Sequence, residues 1–182
     1  LWHALMDRLA EITLAYLRAQ IEAGAQAVQL FDSWAGALSP QDYRQHVLPY
    51  SRRVLRGLQD TGVPVIHFAG QTSGYLELIR EAGGDVIGLD WRVDIGEARR
   101  RLGPDVAVQG NLDPLVLLAP PPVIEAQVAH LLERAGTLQG LPGHVVNLGH
   151  GVLPDTPVEH VAAMVEAVHR LSRRAGGGTE GS

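Results

Sequence analysis

Asn147-Leu148-Gly149-His150-Gly151-Val152-Leu153-Pro154-Asp155 follows the apolar run His144-Val145-Val146 and leads into the helix-opening segment Thr156-Pro157-Val158-Glu159. A buried strand followed by a helix start is the repeating unit of an α/β fold, and a histidine between two glycines where the strand ends is placed to touch a ligand. In such folds the C-terminal ends of the strands are where ligands are met.

Working outward, the same unit recurs along the chain. Ala25 to Phe31, Val63 to Ala69, Val86 to Trp91 and Val106 to Asn111 are short apolar runs bounded by turn residues, and each reads as a buried strand. His144 to Leu148 is the fifth. Helices fill the intervals. Leu5, Leu9, Ile12 and Tyr16 form a helical stripe that stops at Ala23-Gly24. Ser39-Pro40-Gln41-Asp42 has the cap, first-turn proline and acidic residue of a helix start, and Pro49 is expected to kink or break that helix before it resumes toward Gly62. Further helices are expected over Leu76–Ala82, Ile95–Leu102 and, after a Pro120-Pro121-Pro122 turn, from Val123 to Ala135. The capping-box spacing of Thr156 to Glu159 opens a last helix to about Arg174.

Strands that alternate with helices in this way require crossover connections and a parallel sheet. The class is α/β, either an open doubly wound sheet or a (β/α)8 barrel. The glycine-rich first turn of the dinucleotide-binding sheet is missing. Polar and glycine residues instead fall after strand upon strand, at Asp32-Ser33, His67, Asp90-Trp91, Gln109-Gly110-Asn111 and Asn147 to His150. That spread favours a barrel rim over a single switch point. Five strands make only part of a barrel, so the chain is expected to be a fragment: one partial barrel domain over 1–175 and a flexible tail over 176–182.

Composition removes several chemistries. The chain has 182 residues, 46% of them hydrophobic, and no cysteine, so disulfides, thiolate metal sites and cysteine nucleophiles are excluded. All 15 basic residues are arginines, which excludes Schiff-base lysines and P-loop phosphate binding. A formal charge of -5 argues against nucleic acid as a partner, and Arg99-Arg100-Arg101 reads as a solvated helix end. No apolar run is long enough for a membrane span, so the expectation is a cytoplasmic protein without membrane association.

Four motifs, in order and spacing, resemble a known family: Gln29 to Gly36 (Gln-Leu-Phe-Asp-Ser-Trp-Ala-Gly), Gly88 to Trp91 (Gly-Leu-Asp-Trp), Gln109 to Pro114 (Gln-Gly-Asn-Leu-Asp-Pro) and Asn147 to Gly151 (Asn-Leu-Gly-His-Gly). From the first helix to about His169 the chain resembles the C-terminal half of uroporphyrinogen decarboxylase, about strands four to eight of its barrel. The resemblance implies a cytoplasmic, homodimeric carboxy-lyase of haem (porphyrin) biosynthesis that converts uroporphyrinogen III to coproporphyrinogen III by removing four acetate carboxylates. It implies no metal and no organic cofactor. It assigns substrate contact to Ser33 and His150.

The same resemblance places the arginine loop, the pyrrole-binding aspartate and a tyrosine of the family in an N-terminal half that has no counterpart here, so no catalytic residue is expected in this chain. Loss of an acetate carboxylate from a pyrrole needs ring protonation and an anion to stabilise the cationic ring. The hydroxyl of Ser33, the imidazole of His150 and the backbone N–H groups at Gly149 and Gly151 are suited instead to holding substrate carboxylates.

Bland roles compete for each residue. His150 could be a structural histidine and Ser33 a turn cap. His67 fits packing or support of a neighbour, Asp90-Trp91 anchors the rim, and Asp113-Pro114 opens a helix. The remaining histidines show no metal-ligand spacing. A related barrel methyltransferase would need a zinc-binding thiolate, where His67-Phe68-Ala69-Gly70 has alanine. The other alternative is a truncated barrel that catalyses nothing.

Overall fold

A computed structural model describes residues 1–137 and 143–176, the last three by backbone alone. Among these, five strands and seven α-helices alternate: α1 (Trp2–Glu22), β1 (Val28–Asp32), α2 (Pro40–His46), α3 (Leu48–Arg56), β2 (Val65–Ala69), α4 (Leu76–Ala82), β3 (Val86–Gly88), α5 (Ile95–Leu102), β4 (Ala107–Gln109), α6 (Pro121–Arg134), β5 (His144–Val145) and α7 (Val158–Gly176). Helix α7 takes in Gly176, the first residue of the expected tail, and residues 177–182 lie outside the described part. None of the described helices is long and apolar enough to cross a membrane. The described residues form two compact units: Leu1–Gly88 with Arg101–Val106, and Leu89–Arg100 with residues from Ala107 onward.

In the first unit β1, β2 and β3 are parallel, with Val28 opposite Val65, Asp32 opposite Ala69, and Phe68 opposite Gly88. Val65, His67 and Ala69 alternate as the buried face of β2. Helix α3 buries Leu48, Ser51, Val54 and Leu55, and α4 buries Leu76, Leu78, Ile79 and Ala82. Pro49 does break the predicted helix. Its ring sits in the first turn of α3, where a missing N–H costs nothing, and Val47 separates the two helices. Ser39 caps α2 by accepting the Asp42 N–H at 3.1 Å.

The stripe on α1 behaves differently from a core seam. Leu5, Leu9, Ile12 and Tyr16 are all about half exposed, and the helix buries only Ala10 and Leu17. The periodicity marked an apolar face correctly, but within this unit nothing covers it.

In the second unit β4 and β5 are parallel, with Val108 opposite His144 and Gln109 opposite Val145. Beyond them Leu112 bridges to Leu148. The fifth strand is therefore shorter than the expected His144–Leu148, because Asn147 Oδ1 accepts the Leu148 N–H and diverts the backbone from a regular ladder. Helix α6 starts at Pro121 rather than Val123, its prolines occupying a first turn whose N–H groups have no helical partner anyway. It buries Ile124, Val128, Leu131 and Leu132, and α7 lies against it with Arg170 paired to Glu125 at 2.7 Å. The expected capping box before α7 does not form: the Thr156 hydroxyl is buried without a hydrogen-bond partner among the described residues. Asp113 opens a short 3-10 turn, Pro114–Leu118, by accepting the Leu115 N–H at 2.9 Å.

Asp94 ties α5 to α6. Its carboxylate takes two bonds from Arg134, at 2.9 and 2.7 Å, and one from the Glu97 N–H at the α5 start. These hydrogen bonds, led by Arg134, hold the Asp94 carboxyl down at about 2.

His144 is held neutral by burial. Its Nε2–H donates to the Gly110 carbonyl at 2.8 Å, which leaves Nδ1 to accept from the Thr137 hydroxyl at 2.7 Å. Burial lowers its pKa below the ordinary 6.5, against the Gly110 carbonyl, with Arg99 adding to the lowering. As pH falls below about 6.5 the unfolded chain takes up this proton before the folded one does. The contribution is therefore intact above that pH and is lost on acidification. Urea midpoints measured from pH 7.5 to 5 are expected to fall, and to fall less steeply in His144→Gln.

Candidate functional site

The residues singled out in the sequence lie in both units, and each is built by its own surroundings. In the first unit the end of β1 is fixed by a buried polar group. The Asp32 carboxylate accepts the Ser51 hydroxyl at 2.6 Å, and the same oxygen lies 3.0 Å from His67 Nε2. His67 is fully buried, mid-strand on β2 rather than at its end, so it braces Asp32 and faces no ligand. Tyr43, also fully buried, is kept as the neutral phenol: burial, then the Asp32 charge, raises its pKa well above the usual tyrosine range.

Ser33 follows directly. Its carbonyl is packed so closely on Gly70 that a Cβ there would stand 2.7 Å away, so the residue after β2 must be glycine for this turn to close. Ser33 itself stays half-buried, flanked by the exposed rings of Phe31 and Trp34. Phe31 meets Phe68 edge-on, with centroids 6.1 Å apart.

In the second unit the loops after β3, β4 and β5 are tied into one piece. The Asn111 side-chain amide donates to the carbonyls of Asp90 and Val93, at 2.8 and 2.7 Å. The Gly149 N–H donates to the Leu112 carbonyl at 2.7 Å, and the Leu112 N–H to Asn147 at 3.1 Å. Gly149 also lies directly against the Asp90-Trp91 peptide: a Cβ on it would sit 2.4 Å from the Trp91 nitrogen. That contact sets His150 perpendicular to the Trp91 indole, with centroids 6.1 Å apart. His150 is exposed, and Gly151 beyond it faces open space.

Asp90 is almost wholly buried and folds back on Arg92, accepting its backbone N–H at 2.9 Å and pairing with its guanidinium at 3.2 Å. Arg92 in turn lies over the Trp91 ring, its guanidinium carbon 4.0 Å from the centroid. Sequence reading passed over Arg92. An arginine next to a rim tryptophan was the available signal, and its use depends on a stacking geometry that spacing does not encode. Trp91 and Asn111 also line a cleft of about 190 Å³ with Asp94, Gln127, His130 and Arg134.

Among the described residues no group of three or more His, Cys, Asp and Glu side chains could hold a metal ion. What the second unit presents is an imidazole, an indole and a guanidinium beside two glycines, a surface that donates hydrogen bonds and carries positive charge. It suits carboxylates.

Comparison with known proteins bears on the same motifs. The family model described as uroporphyrinogen decarboxylase (URO-D) matches residues 1–171. The chain is 56% identical over 170 residues to a protein named uroporphyrinogen decarboxylase in Pelobacter propionicus, a match covering 93% of this chain and 49% of that protein. It is 56% identical over 171 residues to the Carboxydothermus hydrogenoformans protein of that name, covering 94% and 48%. With the Salinispora tropica protein it shares 55% identity over 174 residues, covering 96% and 46%. The chain thus spans about half the length of the curated relatives it matches. Five parallel strands with interleaved helices are what about half of a (β/α)8 barrel would contain.

The contact at Gly149 gives a direct test. Gly149→Ala must push the Trp91 peptide away, at a cost of about 1–3 kcal/mol by analogy with overpacked cores. The expected result is a lowered denaturant midpoint together with a shifted tryptophan emission. An unchanged midpoint would mean the two loops are free to separate.

Proposed function

The chain belongs to the uroporphyrinogen decarboxylase family, and from that premise we propose that it forms the substrate-holding part of a barrel enzyme that decarboxylates the acetate side chains of uroporphyrinogen III to give coproporphyrinogen III. The reaction is that of a carboxy-lyase in porphyrin and haem biosynthesis. The observation that carries the reading is His150: exposed, squared against Trp91, and bounded by two glycines within the stretch that the family model matches. On this reading His150 and Ser33 contact substrate carboxylates. The imidazole and hydroxyl donate to the anion, while Gly149 and Gly151 let the chain come close without a side chain in the way.

Holding is distinct from chemistry. The scissile carboxylate leaves only if the pyrrole ring is protonated and the resulting cation is stabilised, and neither Ser33 nor His150 is an anion that could do so. We therefore assign these two residues to orientation and none in this chain to the chemical step. The half-exposed stripe Leu5, Leu9, Ile12 and Tyr16 on α1 is the kind of face that further parts of a barrel would cover, in keeping with relatives twice as long. In the complete protein the reading includes a cytoplasmic homodimer, a barrel of which residues 1–175 of the present numbering form a part, and no metal or organic cofactor.

Two measurements test it. The purified 182-residue chain is expected to bind uroporphyrinogen without releasing coproporphyrinogen or carbon dioxide, and product formation by this chain alone would sink the division of labour. In a full-length barrel carrying this sequence, His150→Ala is expected to raise KM or lower kcat about tenfold or more, the cost of one charge-assisted hydrogen bond. Unaltered kinetics would return His150 to a structural role.

A further inference from the structure

We propose that Arg92, stacked on Trp91 beside His150, is a second carboxylate-binding residue of the same site and sets its preference for ligands with many carboxylates; this rests on the reading of His150 as a substrate contact. Both groups share one indole. The Arg92 guanidinium carbon is 4.0 Å from the ring centroid and the His150 ring is 6.1 Å from it, so the two can be no further apart than the sum of those distances. Both face solvent: His150 is exposed, and the Arg92 side chain is 43% exposed.

Arg92 is also immobilised in a way an ordinary surface arginine is not. Asp90, whose side chain is 4% exposed, accepts the Arg92 backbone N–H through Oδ1 and pairs with the guanidinium Nη1 through Oδ2. The indole supports the guanidinium from its face. Asp90 is itself anchored through its carbonyl to the Asn111 amide. A guanidinium has five N–H donors in a rigid fork, and the pairing with Asp90 engages one nitrogen, so the outer edge can meet a second carboxylate with little further loss of side-chain freedom. If Arg92 served only to close the Asp90 turn, neither the stacking nor the exposure of its outer edge would be required.

The test is a fluorescence titration of the purified 182-residue chain with uroporphyrin, which carries eight carboxylates, and coproporphyrin, which carries four. Wild type is expected to bind uroporphyrin the more tightly. Arg92→Gln should weaken uroporphyrin binding about tenfold, the usual worth of a charge-assisted pair, and narrow the gap between the two porphyrins. Wild-type affinity and preference in a folded Arg92→Gln protein would overturn the proposal. Should that variant fail to fold, Arg92→Lys decides: it keeps the charge but loses the fork, so weakened binding supports the assignment and unchanged binding overturns it. His150→Gln separates the two readings. If it binds like wild type while Arg92→Gln does not, Arg92 stands and the role given to His150 falls. If wild type shows no saturable binding of either porphyrin, the functional reading fails and takes this one with it.

Discussion

The backbone contact between Gly149 and the Asp90-Trp91 peptide governs the second unit's loop end. No side chain fits there, since a Cβ would stand 2.4 Å from the Trp91 nitrogen and 3.0 Å from the Asp90 carbonyl carbon. Once the two backbones touch, the loop after β5 has to run along the loop after β3. Asn111, between them in sequence, then finds the Asp90 and Val93 carbonyls within reach of one amide group. Three loops become one rigid surface, and His150 and Arg92 are displayed on it, Arg92 with one guanidinium nitrogen tied to Asp90. Such support from groups that do not themselves face the ligand is what keeps a binding constellation in place.

The first unit solves the same problem by a different route. There the end of β1 is held by side chains: Ser51 and His67 converge on one oxygen of Asp32. A carboxylate that takes two hydrogen bonds in a largely buried setting is costly to release, because breaking the group strands a buried donor. Ser33 inherits this rigidity through the chain, and Gly70 completes it by admitting the Ser33 carbonyl at close range. Phe31 and Trp34 remain exposed on either side, so the serine is framed by apolar surface.

Much of this was legible because strand and helix periods leave strong marks. All five strands lie within or beside the apolar runs read for them, and the break at Pro49 follows from a missing N–H and a fixed φ. The misreadings have a common physical source, which is that local signals state what a residue can do and not what tertiary packing lets it do. Thr156 has capping-box spacing, yet packing buries its hydroxyl without a partner. Pro121 and Pro122 look like a turn and serve as a helix's first turn. His67 was placed at a strand end, whereas the strand runs on to Ala69 and carries the imidazole into the core beside Asp32. The α1 stripe has helical spacing, but spacing says nothing of whether a partner surface is at hand. Of the candidate residues, His150 and Ser33 each stood out through its own motif, whereas Arg92 depended on which way a guanidinium turns.

That last residue belongs to a wider pattern in a chain whose 15 basic residues include no lysine. Arg101 spans Glu77 and the Ser73 carbonyl, Arg134 grips Asp94 with two nitrogens, and Arg52 reaches both the carboxylate and the carbonyl of Glu81. Each joins elements that are distant in sequence through a planar fork, which a single ammonium could not reproduce. Most of these pairs are well exposed, where an ion pair contributes little to stability and is screened by salt. Their value lies in geometry: a two-point grip fixes orientation as well as distance. Arg92 applies the same property differently. One edge of its fork is tied to a buried carboxylate and its plane rests on an indole, so the remaining edge is aimed before any ligand arrives. An acidic chain can in this way present a local cationic surface to a polyanion, because its negative charge at that point is buried beneath the arginine that faces outward.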